Sequence, residues 1–196
     1  GSSEGNELLT SASSPLHPSN WWHGQSWRAL MDALEAKLIG FDSKALTKSL
    51  WALATVRKNA GVQPSLLRRA ATRAAALAAS ELDAKGVAGI LWALARLLRD
   101  SGGSEEGRLS SSTEAEEALG ADALSSILTC AESLAPSFNG IDTANVMVGL
   151  AKLFSPAGRN SSILLSDRDI SEPESSQRVV TERLVQVLVE RAVALY

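Results

Sequence analysis

Histidine is almost missing from this chain, and the shortage bounds its chemistry. His17 and His23 are the only two, with no acidic or cysteine partner at ligand spacing, so no metal site is expected. Cys130 is the single cysteine, which excludes an internal disulfide and fits a reducing compartment or a fold that needs no staple. No apolar run reaches the roughly 18–20 residues of a membrane-crossing helix. The longest, VAGILWALARLL at 87–98, is broken by Arg96 and reads as a core helix. The GxxxxGK loop, the GxSxG elbow and HExxH are missing too. Glu105, Glu106, Glu114, Glu116 and Glu117 fall in or at the edge of a low-complexity stretch that cannot position them for acid–base work. The expectation is a non-catalytic protein without cofactor.

Aromatics are scarce as well, at 5% of 196 residues, and tryptophan outnumbers phenylalanine five to three. Runs of Val, Ile and Thr are few, so extended sheet has little support. Ala and Leu fill the apolar positions instead, and both lose little on entering a helix. With 45% hydrophobic residues the chain can bury a sizeable core. The predicted class is all-α.

The chain repeats itself. FDSKALTKSLWALATV (41–56) aligns with LDAKGVAGILWALARL (82–97): Asp42 meets Asp83, Lys44 meets Lys85, and LWALA at 50–54 meets LWALA at 91–95. A weaker third copy, FNGIDTANVMVGLAKL (138–153), puts Phe138 opposite Phe41, Asn139 opposite Asp42 and Leu150-Ala151 opposite Leu53-Ala54. Asp42, Asp83 and Asn139 are all residues that cap a helix by accepting bonds from its first N–H groups. In copy three, Asp142 competes for that role. The first two copies are 41 residues apart, and the longer step to the third is explained by a Gly/Ser/Glu-rich insert at about 101–116. A second such insert spans about 155–177.

Each copy is followed by a second amphipathic stretch, at 63–80, 117–135 and 177–196, and a leading helix at 26–38 carries Trp27, Leu30, Leu34 and Leu38 on one face. Residues 1–20 are rich in Ser, Gly, Pro and Asn and read as a disordered tail. The rest, 21–196, reads as one helical-repeat domain: an α-solenoid of about three stacked helical hairpins plus the leading helix. A solenoid needs polar caps, yet the last stretch, VQVLVERAVALY, is apolar to the terminus, which predicts either more chain or a protein neighbour over that end. At the other end, Trp21, Trp22 and Trp27 fit either a fold-back cap or an interface anchor. Gly1 is not Met, so the sequence leaves targeting open.

Lys44, Lys48, Trp51 and Thr55 form one helical stripe, and Lys85, Gly89, Trp92 and Arg96 form its counterpart. The tryptophans either pack between units or serve as stacking platforms for bases. Val148 at the third position keeps bulk and loses the ring, which favours packing. Charge is uneven: residues 41–100 carry ten Lys or Arg against four acids, although the whole chain is at −3. That basic half has the electrostatic footprint of a phosphate-binding surface.

LWALA in the first helix of a repeated hairpin, with its acidic or amide cap and the Ala144-Asn145 pair of the third copy, resembles the octotricopeptide and heptatricopeptide repeats of algal and apicomplexan organelles, often found beside a RAP domain. The resemblance implies an organellar RNA-binding solenoid acting in RNA processing, stability or translation, or a component of the mitochondrial ribosome. It implies a mitochondrial address, with plastid as the alternative, and organellar rRNA or mRNA as the ligand. The polar positions of the first helices that match the pattern are Lys44, Lys48, Lys85 and Asn145. Together with the basic half, the expected RNA-binding set is Lys44, Lys48, Arg57, Lys58, Arg68, Arg69, Arg73, Lys85, Arg96 and Asn145. Neighbouring proteins are expected over the solenoid ends, and no membrane contact. A protein–protein scaffold without RNA contact is the alternative, since the overall charge is acidic.

Overall fold

A computed structural model describes residues 25–56, 62–101, 112–154 and 176–195. Among them there is no strand; they form helices α1 (Gln25–Lys37), α2 (Ser43–Val56), α3 (Pro64–Ala78), α4 (Ala84–Ser101), α5 (Ser112–Leu119), α6 (Ala121–Leu134), α7 (Gly140–Phe154) and α8 (Ser176–Ala194). The chain is all-α, as composition requires.

The three copies start their helices in the same way. Ahead of α2 and α7 the chain makes a single 3-10 turn, Leu38–Gly40 and Ala135–Ser137, and then extends through a phenylalanine. The next residue caps. The Ala45 N–H donates to Asp42 Oδ1 at 2.7 Å, and the Gly86 N–H to Asp83 Oδ1 at 2.7 Å. Asn139 Oδ1 accepts from Ile141 at 2.8 Å and from Asp142 at 3.0 Å. Asp142 is therefore not the cap. Its own carboxylate accepts from the Asn139 N–H at 3.3 Å, closing a reciprocal capping box.

The helices fall into two neighbour series. α2 packs on α4 and α4 on α7; α3 packs on α6 and α6 on α8, with α1 against α3. The series meet through α2–α3, α3–α4, α4–α6 and α7–α8 contacts. Buried side chains from all eight helices join in one cluster. Within the first series backbones approach closely. A Cβ on Gly149 of α7 would lie 3.2 Å from the carbonyl carbon and oxygen of Leu91 in α4, and one on Gly89 would lie 3.1 Å from Thr47 Cγ2 in α2. The buried face of α3 includes Ala70, Ala71 and Ala74, each fully buried, beside Leu66, Leu67 and Leu77.

Two expectations change. The single stretch expected at 117–135 is two helices, because Gly120 takes φ +89°, a conformation that glycine adopts without steric cost. The insert expected to reach residue 116 ends earlier. Residues 112–116 belong to α5, since Ala115 and Leu119 bury against the core and Ala, Glu and Leu are strong helix formers. Residues 1–24, 57–61, 102–111, 155–175 and 196 lie outside the described residues. With them lie Trp21, Trp22, the expected tail and most of both inserts. Trp27 is a core residue, 7% exposed.

Candidate nucleic-acid interface

Helix α4 is enclosed on nearly every side. Val87, Ala88, Ile90, Leu91, Ala93, Leu94, Ala95 and Leu97 are fully buried, because α2 and α7 flank the helix and α3 and α6 back it. After its first residue, one strip remains in contact with solvent: Lys85, Gly89, Trp92, Arg96 and Arg99 among the described side chains. These five follow i, i+4, i+7, i+11 and i+14, a single line along the helix. Since the other sides are occupied, the line faces away from the α3–α6–α8 series. Every charge on it is positive.

The same register is open on the flanking helices. On α2 it is Lys44, Lys48, Trp51 and Thr55, all exposed. On α7 it is Ile141, Asn145, Val148 and Lys152; Ile141 and Val148 are exposed, Asn145 and Lys152 half-buried. Lys152 is already engaged within the protein. Of the expected RNA-binding residues, this surface brings together Lys44, Lys48, Lys85, Arg96 and Asn145. It adds Arg99 and Lys152, which the sequence reading missed although one more step of the same stripe reaches both. Gly89, at the Lys48 position, is spent on the close contact with Thr47 rather than on a ligand group.

The tryptophans divide. Trp92 packs partly on the core, and the Arg96 guanidinium lies 5.3 Å from its ring centroid, close enough for a cation–π contact. Trp51 is 54% exposed. The expectation that Trp51 packs between units is therefore corrected. Among the described elements α2 is flanked by α4 alone within its series, which leaves much of the ring open.

The α3 arginines of the expected set each have a partner within the protein. Arg68 donates through its guanidinium to the Glu117 carbonyl at the end of α5. Arg69 pairs with Glu35 of α1 at 3.5 Å, and Ser65 donates to the same carboxylate at 3.3 Å. Arg73 Nε donates to the Phe41 carbonyl at 2.8 Å and is half-buried. All three belong to the second series and bind neighbouring elements of the protein. Arg57 and Lys58 lie outside the described residues.

Other chemistry is thin. Among the described residues no three His, Cys, Asp or Glu side chains come together in a way that could hold a metal ion. Cys130 is buried on α6, and desolvation raises its thiol pKa above the ordinary 9.0, which keeps it neutral. No described helix is long and apolar enough to cross a membrane. Hollows open to solvent occur among the described residues. One of about 590 Å³ lies between α3 and the α5–α6 junction, lined by Arg68, Thr72, Glu116 and Gly120. Another, about 420 Å³, lies between α7 and α8 and is nearly all apolar, with Met147, Phe154 and Val185 on its walls. No family model, curated protein or solved structure matches the chain.

Proposed function

We propose that the chain is a non-catalytic RNA-binding protein of the octotricopeptide or heptatricopeptide kind, an α-solenoid of stacked helical hairpins that works in an organelle. The reading takes the mitochondrion as the address, with plastid as the alternative, and organellar rRNA or mRNA as the ligand, met in processing, stability, translation or within the ribosome. The order of neighbours supports it, because stacked copies of one hairpin would place first helices beside first helices and second beside second. The observation that carries the RNA reading is the α4 strip. A helix buried on all other sides leaves solvent one line, and the charges on that line are Lys85, Arg96 and Arg99. Lys44 and Lys48 continue the surface on α2. Phosphate oxygens are the chemistry these groups fit, and with three units the contact is to backbone and shape rather than to a sequence code.

Binding to a mixed single-stranded RNA at about 50 and about 200 mM salt tests this. Four phosphates neutralised on a single strand give a slope near −0.7 per contact, so the fourfold change in salt weakens binding roughly 50-fold. Changing Lys44, Lys48 and Lys85 to Glu abolishes the binding in this reading. A wild-type chain that binds no RNA at low salt overturns it. The protein-scaffold reading then takes its place, favoured by the apolar hollow between α7 and α8 that a neighbouring protein could cover.

A further inference from the structure

We infer that Trp51 is a stacking platform for one unpaired base of single-stranded RNA, with Lys44 and Lys48 holding the adjoining phosphates and the Arg96–Trp92 pair offering a second, weaker platform. The inference rests on the RNA reading above and names what the same surface recognises. Trp51 is a large aromatic ring, 54% exposed, with no place in the core cluster. Exposed indole surface is costly by area, and its position decides what would cover it. It stands three residues after Lys48 and seven after Lys44, on the same face of α2, so one strand can reach all three. A duplex cannot use such a ring, because its bases are stacked on each other; an unpaired base can.

The second position is different in kind. Trp92 is half-buried and its outer face carries Arg96 at 5.3 Å. A base arriving there meets a guanidinium held over an indole, and guanidinium groups also stack on bases. At the third position Val148 is 42% exposed and has no ring. The surface therefore offers stacking at two of its three registers and apolar contact at the last.

The test uses the whole chain and three variants, Trp51→Leu, Trp51→Tyr and Trp92→Leu, each checked for wild-type helical circular dichroism. The probes are a mixed single-stranded RNA and an abasic strand of the same length, which keeps the phosphates and removes the bases. The expected result is a loss of roughly 5- to 100-fold in RNA affinity for Trp51→Leu, a smaller loss for Trp92→Leu, near-complete retention for Trp51→Tyr, and no change for any of them on the abasic strand. Trp51→Leu binding RNA like the wild type overturns stacking while the phosphate contacts stand. An equal loss on the abasic strand also overturns it, since the ring would then be acting on the protein rather than on bases. A wild-type chain that binds neither strand removes the RNA reading and this inference together.

Discussion

Arg73 and Arg191 make the same bond in different copies of the repeated unit. Arg73 Nε donates to the Phe41 carbonyl at 2.8 Å and Arg191 Nε to the Phe138 carbonyl at 2.9 Å. Each phenylalanine sits between a 3-10 turn and a helix cap, where its carbonyl has no place in a helix ladder. Each arginine comes from a second-series helix and so fastens the start of a first-series helix from behind. A bond to a charged donor contributes about 1.5–3 kcal/mol, and removing the donor leaves a half-buried acceptor unpaired. Arg73→Met is therefore expected to lower stability by about 1.5–3 kcal/mol, read from the urea midpoint at unchanged slope. RNA affinity measured below the transition should stay at the wild-type value. An unchanged midpoint would show that water serves the Phe41 carbonyl equally well. Copy two differs, because α6, the second-series helix that follows it, contains no arginine.

At the scale of the helix, what the sequence discloses depends on whether the cause is local. The starts of α2, α4 and α7 are set by residues within three positions, so Asp42, Asp83 and Asn139 could be read as caps from spacing alone. The direction in which a helix faces is set by distant neighbours. Apolar residues run almost all the way round α4, and only its enclosure by four other helices makes the line through Lys85 and Arg96 its open side. Trp51 and Trp92 occupy identical positions in matching strings, yet one is exposed and the other half-buried, because α4 has a first-series neighbour on both sides and α2 on one. Arg69 and Arg73 have helical spacing that suits an open basic stripe; their partners, Glu35 and the Phe41 carbonyl, lie more than 30 positions earlier in the chain and could not be read from that spacing. The close crossing of α4 and α7 was equally invisible. It depends on Gly149, whose missing Cβ would press on the Leu91 backbone, which cannot swing aside as a side chain can. Gly149→Val is expected to cost about 1–3 kcal/mol through overpacking, a fall of roughly 2–12 °C in Tm for a chain of this size. Gly40, with nothing near its Cβ direction, is the control; Gly40→Ala should leave Tm within about a degree or two. Equal Tm changes at both positions would mean that the α4–α7 contact is looser than its geometry.

For the whole molecule, the question is whether place or total charge would govern the RNA binding proposed above. The chain is at −3, so a simple count of charge argues against a polyanion ligand. Screening weakens that argument: at about 0.15 M salt, exposed charges more than about 8 Å apart hardly feel one another. Local charge then counts for more than the total, and the charges along the open strips of α2 and α4 are Lys44, Lys48, Lys85, Arg96 and Arg99. Two pairs of substitutions separate the possibilities, because both lower the net charge by two. Lys48→Ala with Lys85→Ala removes cations from the open first series. Arg68→Ala with Arg69→Ala removes them from the second, where they bind Glu117 and Glu35. If place governs, the first pair cuts the salt slope of RNA binding by about half, from roughly −2.8 to −1.4 on a four-phosphate contact, and leaves Tm alone. The second pair leaves the slope alone and lowers Tm by several degrees, since it removes an exposed ion pair to Glu35, worth about 0–1 kcal/mol, and a charged-donor bond to the Glu117 carbonyl, worth about 1.5–3 kcal/mol. Equal losses of affinity from both pairs would mean that RNA senses the protein as a diffuse charge and that the α4 strip has no privileged part in binding it.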